Sequence, residues 1–467
     1  MISSRGAALA VLATGMLMTI LDGSIVTVAM PAMQADLGLS AAGLTWVVNA
    51  YLIAFGSLLL LSGRLGDLLG RRRVLLAGTG VFVAASVLAG LATDPSVLIA
   101  ARFLQGVGSA MSGAVSLGIV VTLFPRPDER AKAFGVFAFT GAAGASLGQV
   151  LGGVLTDALS WHWIFLINVP IGVAALALTV VFVPADAGLG WRAGADLLGA
   201  GLVTVGLMAL IAAVVEPEVR WSGAVAAVVL LGGFLLRQAK ARTPLMPLRL
   251  LRSRQVAGAN ALQILMIGAM FSFQILIALY MQSVLRYSAL ETGLAMLPAA
   301  LAIAVISLVV SARVIARVGE RLTLMIGLAA LTLALGLLTG LPVHADYVTD
   351  LLPVMLLVAG GGLALPALTG LGMSGAGPAD AGLASGLFNT TQQLGMALGV
   401  AVLSTLAAQR SAARVAAGVA ESEALTSGYR LAFAVGAGLL LVSIGIAAVI
   451  LRNPTPVEGR GVAAPVG

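Results

Sequence analysis

Gly63-Arg64-Leu65-Gly66-Asp67-Leu68-Leu69-Gly70-Arg71-Arg72-Arg73 separates two apolar runs, Leu44 to Ser62 and Val74 to Thr93. Each run is about 20 residues long, the length a helix needs to cross the roughly 30 Å hydrocarbon layer of a bilayer. One carboxylate among four arginines between two such runs reads as a tight hairpin turn at one membrane face.

Working outward with the same rule, cutting the chain where apolar runs meet charges, Pro or Asn/Asp, gives fourteen segments. They are Ala7 to Met30, Leu44 to Ser62, Val74 to Thr93, Val97 to Val120, Ala133 to Leu155, Trp163 to Val183, Leu197 to Val215, Trp221 to Leu236, Val256 to Met281, Gly293 to Ala312, Leu322 to Leu341, Leu351 to Leu371, Leu383 to Ala407 and Tyr429 to Leu451. The first is too long, and lacks the cleavage site, for a removable signal peptide. Of 467 residues 60% are hydrophobic and 10% charged, against about 25% charged in soluble chains, so most of the surface faces lipid. The apolar runs do not alternate with polar positions, which excludes a β-barrel. The chain is an all-α integral membrane protein.

Twenty of the 26 basic residues fall on one side if the N-terminus is cytoplasmic, five on the other, and Arg102 is left inside a span. That asymmetry orients both termini to the cytoplasm and accounts for the net charge of +7 without nucleic acid. The basic turn has a weaker echo, Arg313 to Arg317, Gly319 and Arg321, between spans 10 and 11. If spans 7 and 8 are an insertion, both turns follow the second helix of a six-helix half, a 6+2+6 plan of parallel repeats. The expected divisions are 1–183 for the first half, 184–255 for the inserted helices and cytoplasmic linker, 256–452 for the second half and 453–467 for a cytoplasmic tail.

Cysteine is absent and the two histidines, His162 and His344, have no partner at metal-ligand spacing, so no metal centre is expected. There is no nucleophile–base arrangement and no G-x-x-x-x-G-K-[ST] loop, so neither enzymatic chemistry nor ATP is expected. Asp22 is the one acid well inside a span. A charge there costs about 2.5–3.5 kcal/mol on insertion scales, which makes a functional role the default. Burial penalises a carboxylate's charged form and a nearby cation favours it, the two influences a proton-exchanging group needs. The alternative is a neutral carboxyl bonding a neighbouring helix. Arg102 shares a stripe of small and polar residues with Gln105, Gly106, Ser109 and Gly113, so it faces the bundle interior; a tie to backbone carbonyls is the structural alternative. Gly144, Gly148 and Gly152 repeat every fourth residue, followed by Gly153, and form a groove for a close helix neighbour. Asp67 can pair with Arg71 or Arg130 or cap a helix, and a solvated cluster is the plain alternative.

These motifs together resemble the fourteen-span drug:proton antiporters of the major facilitator superfamily. Gly63 to Arg72 is similar to the superfamily turn G-x-L-x-D-[RK]-x-G-[RK]-[RK], with Leu68 at a usually basic place. Arg102 to Gly108 is similar to R-x-x-Q-G-x-G. The span-5 glycines resemble G-x-x-x-G-P-x-x-G-G, with Gln149 where that pattern has proline. Leu21 to Pro31 and Trp161 to Pro170 resemble the first- and sixth-helix signatures of the fourteen-span branch. The resemblance implies a major facilitator fold in a bacterial cytoplasmic membrane and export of small amphipathic compounds in exchange for protons, with no other cofactor. It implies coupling through Asp22 and Arg102, gating by Gly63, Asp67, Gly70, Arg71, Arg72 and Arg130, and sealing by Gly144, Gly148, Gln149, Gly152 and Gly153. On spans that line the path of that fold, Met16, Met18, Asn49, Tyr51, Gln263, Met266, Phe271, Gln274, Asn389 and Gln393 are the candidate substrate contacts. A monomer is expected. Nutrient uptake by the same fold, or a non-transport membrane subunit, is the competing reading.

Overall fold

A computed structural model describes residues 4–124, 126–190, 192, 194–241, 243–246, 248–375 and 381–452. Regular structure among them is helical throughout: α1 Ser4–Leu37, α2 Ala41–Leu69, α3 Arg71–Gly90, α4 Pro95–Leu123, α5 Pro127–Ala158, α6 Trp163–Leu166, α7 Asn168–Phe182, α8 Leu197–Val215, α9 Arg220–Lys240, α10 Arg254–Ser283, α11 Ala289–Val305, α12 Ser311–Leu337, α13 Leu352–Leu357, α14 Gly361–Ser374, α15 Ala381–Ala416 and α16 Glu421–Val449. Twelve helical segments among the described residues are long and apolar enough to cross a membrane. α6 and α7 form one of them. Another, Ala289–Gly340, has 52 residues, about 78 Å of helix, far more than one crossing needs.

Several helices overrun the apolar segments read from sequence because caps, not hydropathy, end them. α1 continues to Leu37 although Pro31 closes the apolar run; Pro31 lies inside the helix, where neighbouring helices tolerate the lost N–H. Asp94 starts α4 by accepting from the Ser96 N–H at 2.8 Å, and Ser288 with Glu291 forms a capping box on α11. The echo of the basic turn falls where two helical stretches meet at a kink, with Arg313 and Arg317 still in helix before it. α11 passes through a π-helical turn, Ile306–Val310, into α12. The break falls at Gly319 (φ 82°, ψ 164°), a backbone state that only glycine adopts readily.

Packing repeats itself along the chain. α1 lies against α5 and α7, α3 against α4 and α7, and the same relations recur as α10 against α15 and α16, and α12 against α14 and α16. The two sets meet through α5 on α11, α2 on α15 and α1 on α10. Apolar side chains face outward where lipid would lie, as with Trp221 at 81% and Val228 at 74% exposure.

α8 and α9 pack on each other and α8 on α2, where Thr204 Oγ1 donates to Ser57 Oγ at 2.9 Å. Asp196, just before α8, accepts from the Gly199 N–H at 2.9 Å, Arg237 Nε at 3.0 Å and Gln238 Nε2 at 2.9 Å. Gln238 Oε1 in turn accepts from the Met246 N–H at 3.0 Å. One buried carboxylate thereby ties the start of α8, the end of α9 and the segment beyond it.

Candidate functional site

Asp22, halfway along α1, is fully buried, and its carboxylate accepts from three side chains on two other helices. Arg102 Nη1 of α4 donates to Oδ2 at 2.5 Å, while Gln105 Nε2 of α4 and Asn168 Nδ2 of α7 donate to Oδ1 at 3.2 and 2.9 Å. Arg102 is 2% exposed. It also donates through Nη1 to Gln105 Oε1 at 2.8 Å and through Nε to the Val47 carbonyl at 3.1 Å. Its guanidinium sits 4.5 Å from the Tyr51 ring centroid and 5.8 Å from that of Phe165, at cation–π range. Gln105 reaches on to Ser86 Oγ of α3 at 2.8 Å. The polar stripe of α4 meets Asp22 because α4, packed on α2 and α3, also touches α1. A pair this deep is strongly attractive only while both partners stay, because removing one leaves a buried charge unmet.

The span-5 glycines hold the turn that carries Asp22. A β-carbon at Gly148 would lie 2.8 Å from Ser24 Cβ and 2.9 Å from the Leu21 carbonyl, and one at Gly152 would lie 2.8 Å from the Ile25 carbonyl. Gly144 faces Leu17 and Ile20. Gly153 faces the opposite way, onto the backbone of Ala289 and Leu290 in α11. Next to that contact Asp157 accepts from the Leu290 N–H at 2.9 Å, and Gln282 Nε2 of α10 donates to the Val28 carbonyl of α1 at 3.0 Å. The two helix sets are thus shut against each other where α5 ends and α11 begins.

A cavity of about 530 Å³ lies between the two sets, largely apolar, with Arg102 in its wall. Of the candidate substrate contacts, Tyr51, Phe271, Gln274 and Gln393 line it. Met16, Met18, Asn49, Gln263, Met266 and Asn389 do not: Met18 and Met266 are buried in apolar clusters, and Met16 packs at the edge of a third. Asn389 Nδ2 donates to the Ser385 carbonyl of its own helix at 3.1 Å. Asn49 and Gln263 are buried within their helices. Gln149, assigned to the packing groove by its place among the glycines, lines the cavity as well.

At the basic turn, Gly63 and Gly70 bracket the end of α2, and Arg71 Nη2 lies 3.4 Å from Asp67 Oδ1. Arg71 Nη1 donates to the Gly118 carbonyl at 3.0 Å and to Thr122 Oγ1 at 2.9 Å on α4, and Arg72 Nη2 to the Val180 carbonyl of α7 at 2.6 Å. The cap on α3 comes from Asp186, whose carboxylate accepts from the Arg71 N–H at 2.8 Å and the Arg72 N–H at 3.1 Å. The segment after α7 that carries Asp186, residues 183–190, acts as a strap: its Leu189 N–H donates to the Asp67 carbonyl at 2.8 Å and its Gly190 N–H to the Leu68 carbonyl at 3.0 Å. The Arg130 side chain lies outside the described residues. Asp186 and Asn168 were missed from sequence. Asn168, a lone amide in the Trp161 to Pro170 motif, offered a signal; Asp186, in an exposed connection, offered none.

Residues 12–400 match the sequence profile of the Major Facilitator Superfamily. The puromycin resistance protein pur8 of Streptomyces alboniger is 36% identical over 461 residues, 96% of this chain and 91% of that protein. The cephamycin export protein CmcT of Amycolatopsis lactamdurans is 38% identical over 414 residues, 86% of this chain and 85% of that protein. Among solved structures, the nucleoside transporter NupG superposes with a TM-score of 0.69 at 14% identity, covering 96% of this chain and all of that one, a likeness of fold. With its profile, helix packing and buried inter-helix cavity in agreement, this chain belongs to the Major Facilitator Superfamily.

Proposed function

We propose that this protein exports small amphipathic organic compounds, such as antibiotics and other toxic molecules, in exchange for protons by alternating access. The observation that carries this reading is the buried Asp22–Arg102 pair standing in and behind the wall of a cavity between two similarly packed helix sets. A proton arriving at Asp22 neutralises one partner and frees the other, so protonation and cavity occupancy bias the same two-state bundle. The resistance and export functions in the names of the relatives favour export over uptake.

The same reading has fourteen spans arranged 6+2+6, both termini in the cytoplasm of a bacterial cell, and a functional monomer with protons as its coupling ion and no covalent chemistry. Two features support fourteen: the 52-residue segment broken at Gly319 suffices for two crossings, and α5 has 32 residues beside the twelve apolar segments. The recurring packing supports the two halves, with α8 and α9 between them. The shut seam of α5 and α11 then lies on the outer face and the Asp67 turn on the cytoplasmic face.

Expression in a pump-deficient bacterium, challenged with a broad panel of toxic compounds with and without a protonophore, tests the reading. Raised tolerance and lowered accumulation of at least one compound, both lost with the protonophore, are expected. Increased accumulation would establish uptake instead.

A further inference from the structure

Gln149 is 3% exposed and lines the cavity, yet its Oε1 accepts no hydrogen bond from any described residue. Its own backbone is pinned, because Gly293 of α11 packs directly onto the Gln149 carbonyl. A buried acceptor without a donor is destabilising, so an orphan held in the wall of a cavity marks a place where an entering molecule supplies the donor. Three more amides line the same cavity from the other helix set, Gln274 on α10 and Gln392 and Gln393 on α15.

The charges of the wall point the same way. No described carboxylate lines the cavity. Both oxygens of Asp22 are already engaged by Arg102, Gln105 and Asn168. The Tyr51 face, which could hold a cation, is covered by the Arg102 guanidinium. A permanent cation entering here would lose its hydration, meet the Arg102 guanidinium and find no described carboxylate, with only the weaker faces of Phe55, Phe271 and Phe273 in place of Tyr51. An uncharged molecule bearing N–H or O–H groups would meet amide oxygens and nitrogens on opposite walls, with Phe271 and Met396 for its apolar body.

We propose that Gln149 contacts the substrate and selects uncharged, hydrogen-bond-donating amphiphiles over permanent cations. This rests on the export reading and narrows its substrate class. Because Gln149 also forms the seam with Gly293, a donor bound to its side chain acts where the two helix sets shut.

The test is equilibrium binding of radiolabelled chloramphenicol, neutral with amide and hydroxyl donors, and of tetraphenylphosphonium, a permanent cation with none, to the purified full chain in lipid nanodiscs. The wild type should bind chloramphenicol more tightly. Gln149→Leu should weaken chloramphenicol binding about three- to tenfold, one hydrogen bond's share, with tetraphenylphosphonium binding unchanged. Gln149→Glu, which places a carboxylate in the wall, should strengthen tetraphenylphosphonium binding about tenfold or more. Gln149→Met, closer in shape, replaces the leucine variant should that one fail to fold, and the same weakening is expected of it. The assignment is overturned if the wild type prefers tetraphenylphosphonium or does not bind chloramphenicol. It is overturned equally if folded variants lacking the amide bind chloramphenicol within twofold of wild type. Intact binding and variant effects together with absent efflux would remove the export reading and leave Gln149 as a ligand contact.

Discussion

Arg102 Nη1 lies 2.5 Å from Asp22 Oδ2 with both side chains buried, so an acid deep in one apolar span is matched by an arginine set inside another. The relation spans α1 and α4, and Asn168 brings in α7. Three helices of one set therefore converge on a single carboxyl.

Asp22→Asn leaves Arg102 buried without its counter-charge, a loss of about 3–5 kcal/mol for a broken buried pair, and under the proposed exchange it also removes the coupling proton's site. Uphill efflux and the substrate-induced pH change in inside-out vesicles should both disappear. The Asp22→Asn, Arg102→Gln double variant should recover much of the lost melting temperature, since no unpaired charge remains, but none of the coupling. Arg102→Lys cannot reproduce the contacts to Asp22, Gln105 and the Val47 carbonyl together, so it should keep only partial activity, and Arg102→Ala none. Proton release by the double variant on adding substrate would place the proton site elsewhere.

Gly148 is predicted to be the least replaceable glycine of the span-5 groove that faces α1. A valine there would drive its branches into Ser24 and the Leu21 backbone, between which Asp22 sits. Overpacking of this kind costs about 1–3 kcal/mol. Gly148→Val should lower the melting temperature in detergent and abolish transport, with Gly148→Ala between it and wild type. A valine variant as stable and active as wild type would mean that α1 can move off α5 freely.

Asp196 provides the pH dependence. Burial pushes its carboxyl upward, but the Gly199 N–H, Arg237 and Gln238 outweigh that and hold it below the usual carboxylate range. A depressed folded-state value means that its stabilisation is complete above the unfolded value, about 3.9, and is lost as pH falls through the folded value. Asp196→Asn should therefore melt below wild type at pH 7, with the gap closing as pH is lowered beneath about 4. A gap independent of pH between 7 and 3 would assign the effect to lost packing.

Legibility in the sequence followed the physics of each feature. Asp22 and Arg102 stood out because lipid makes any buried charge conspicuous, and the glycine groove because its period matches the helix. Their mutual contact, 80 residues apart, could not be read, since periodicity places a residue on a face without saying which helix that face meets. Gln149 was read as part of the groove from its neighbours, whereas its side chain enters the cavity. Helix ends were poorly legible, because α1 runs on through Pro31 and α12 begins with Arg313 and Arg317 still in helix, residues at which the hydropathy breaks off. Substrate contacts were the least legible, because Met and Phe serve packing and binding alike; Met266 packs and Phe271 lines the cavity.

The last prediction separates two acids at one turn. From sequence Asp67 is the latch, but in the structure its carboxylate meets Arg71 at 3.4 Å at the protein surface, a pair worth about 0–1 kcal/mol. Asp186 instead caps α3 through two backbone N–H groups, and caps of this kind contribute about 0.5–2 kcal/mol. It also anchors the strap whose Leu189 and Gly190 N–H groups hold the end of α2. Asp186→Ala should therefore lower the melting temperature more than Asp67→Asn. In transport the order can differ, because shifting two nearly balanced conformations takes only a small free energy. Asp67→Asn should reduce turnover while leaving substrate affinity within a few-fold, since the turn lies away from the cavity. Asp186→Ala should reduce turnover at least as much, because without the cap the strap no longer fixes the α2–α3 turn. The decisive measurement is the rate of efflux from preloaded vesicles, normalised to protein in the membrane. Unchanged rates in both variants would make the turn a solvated charge cluster, and a loss confined to Asp67→Asn would show that the latch acts through Arg71 rather than through the strap.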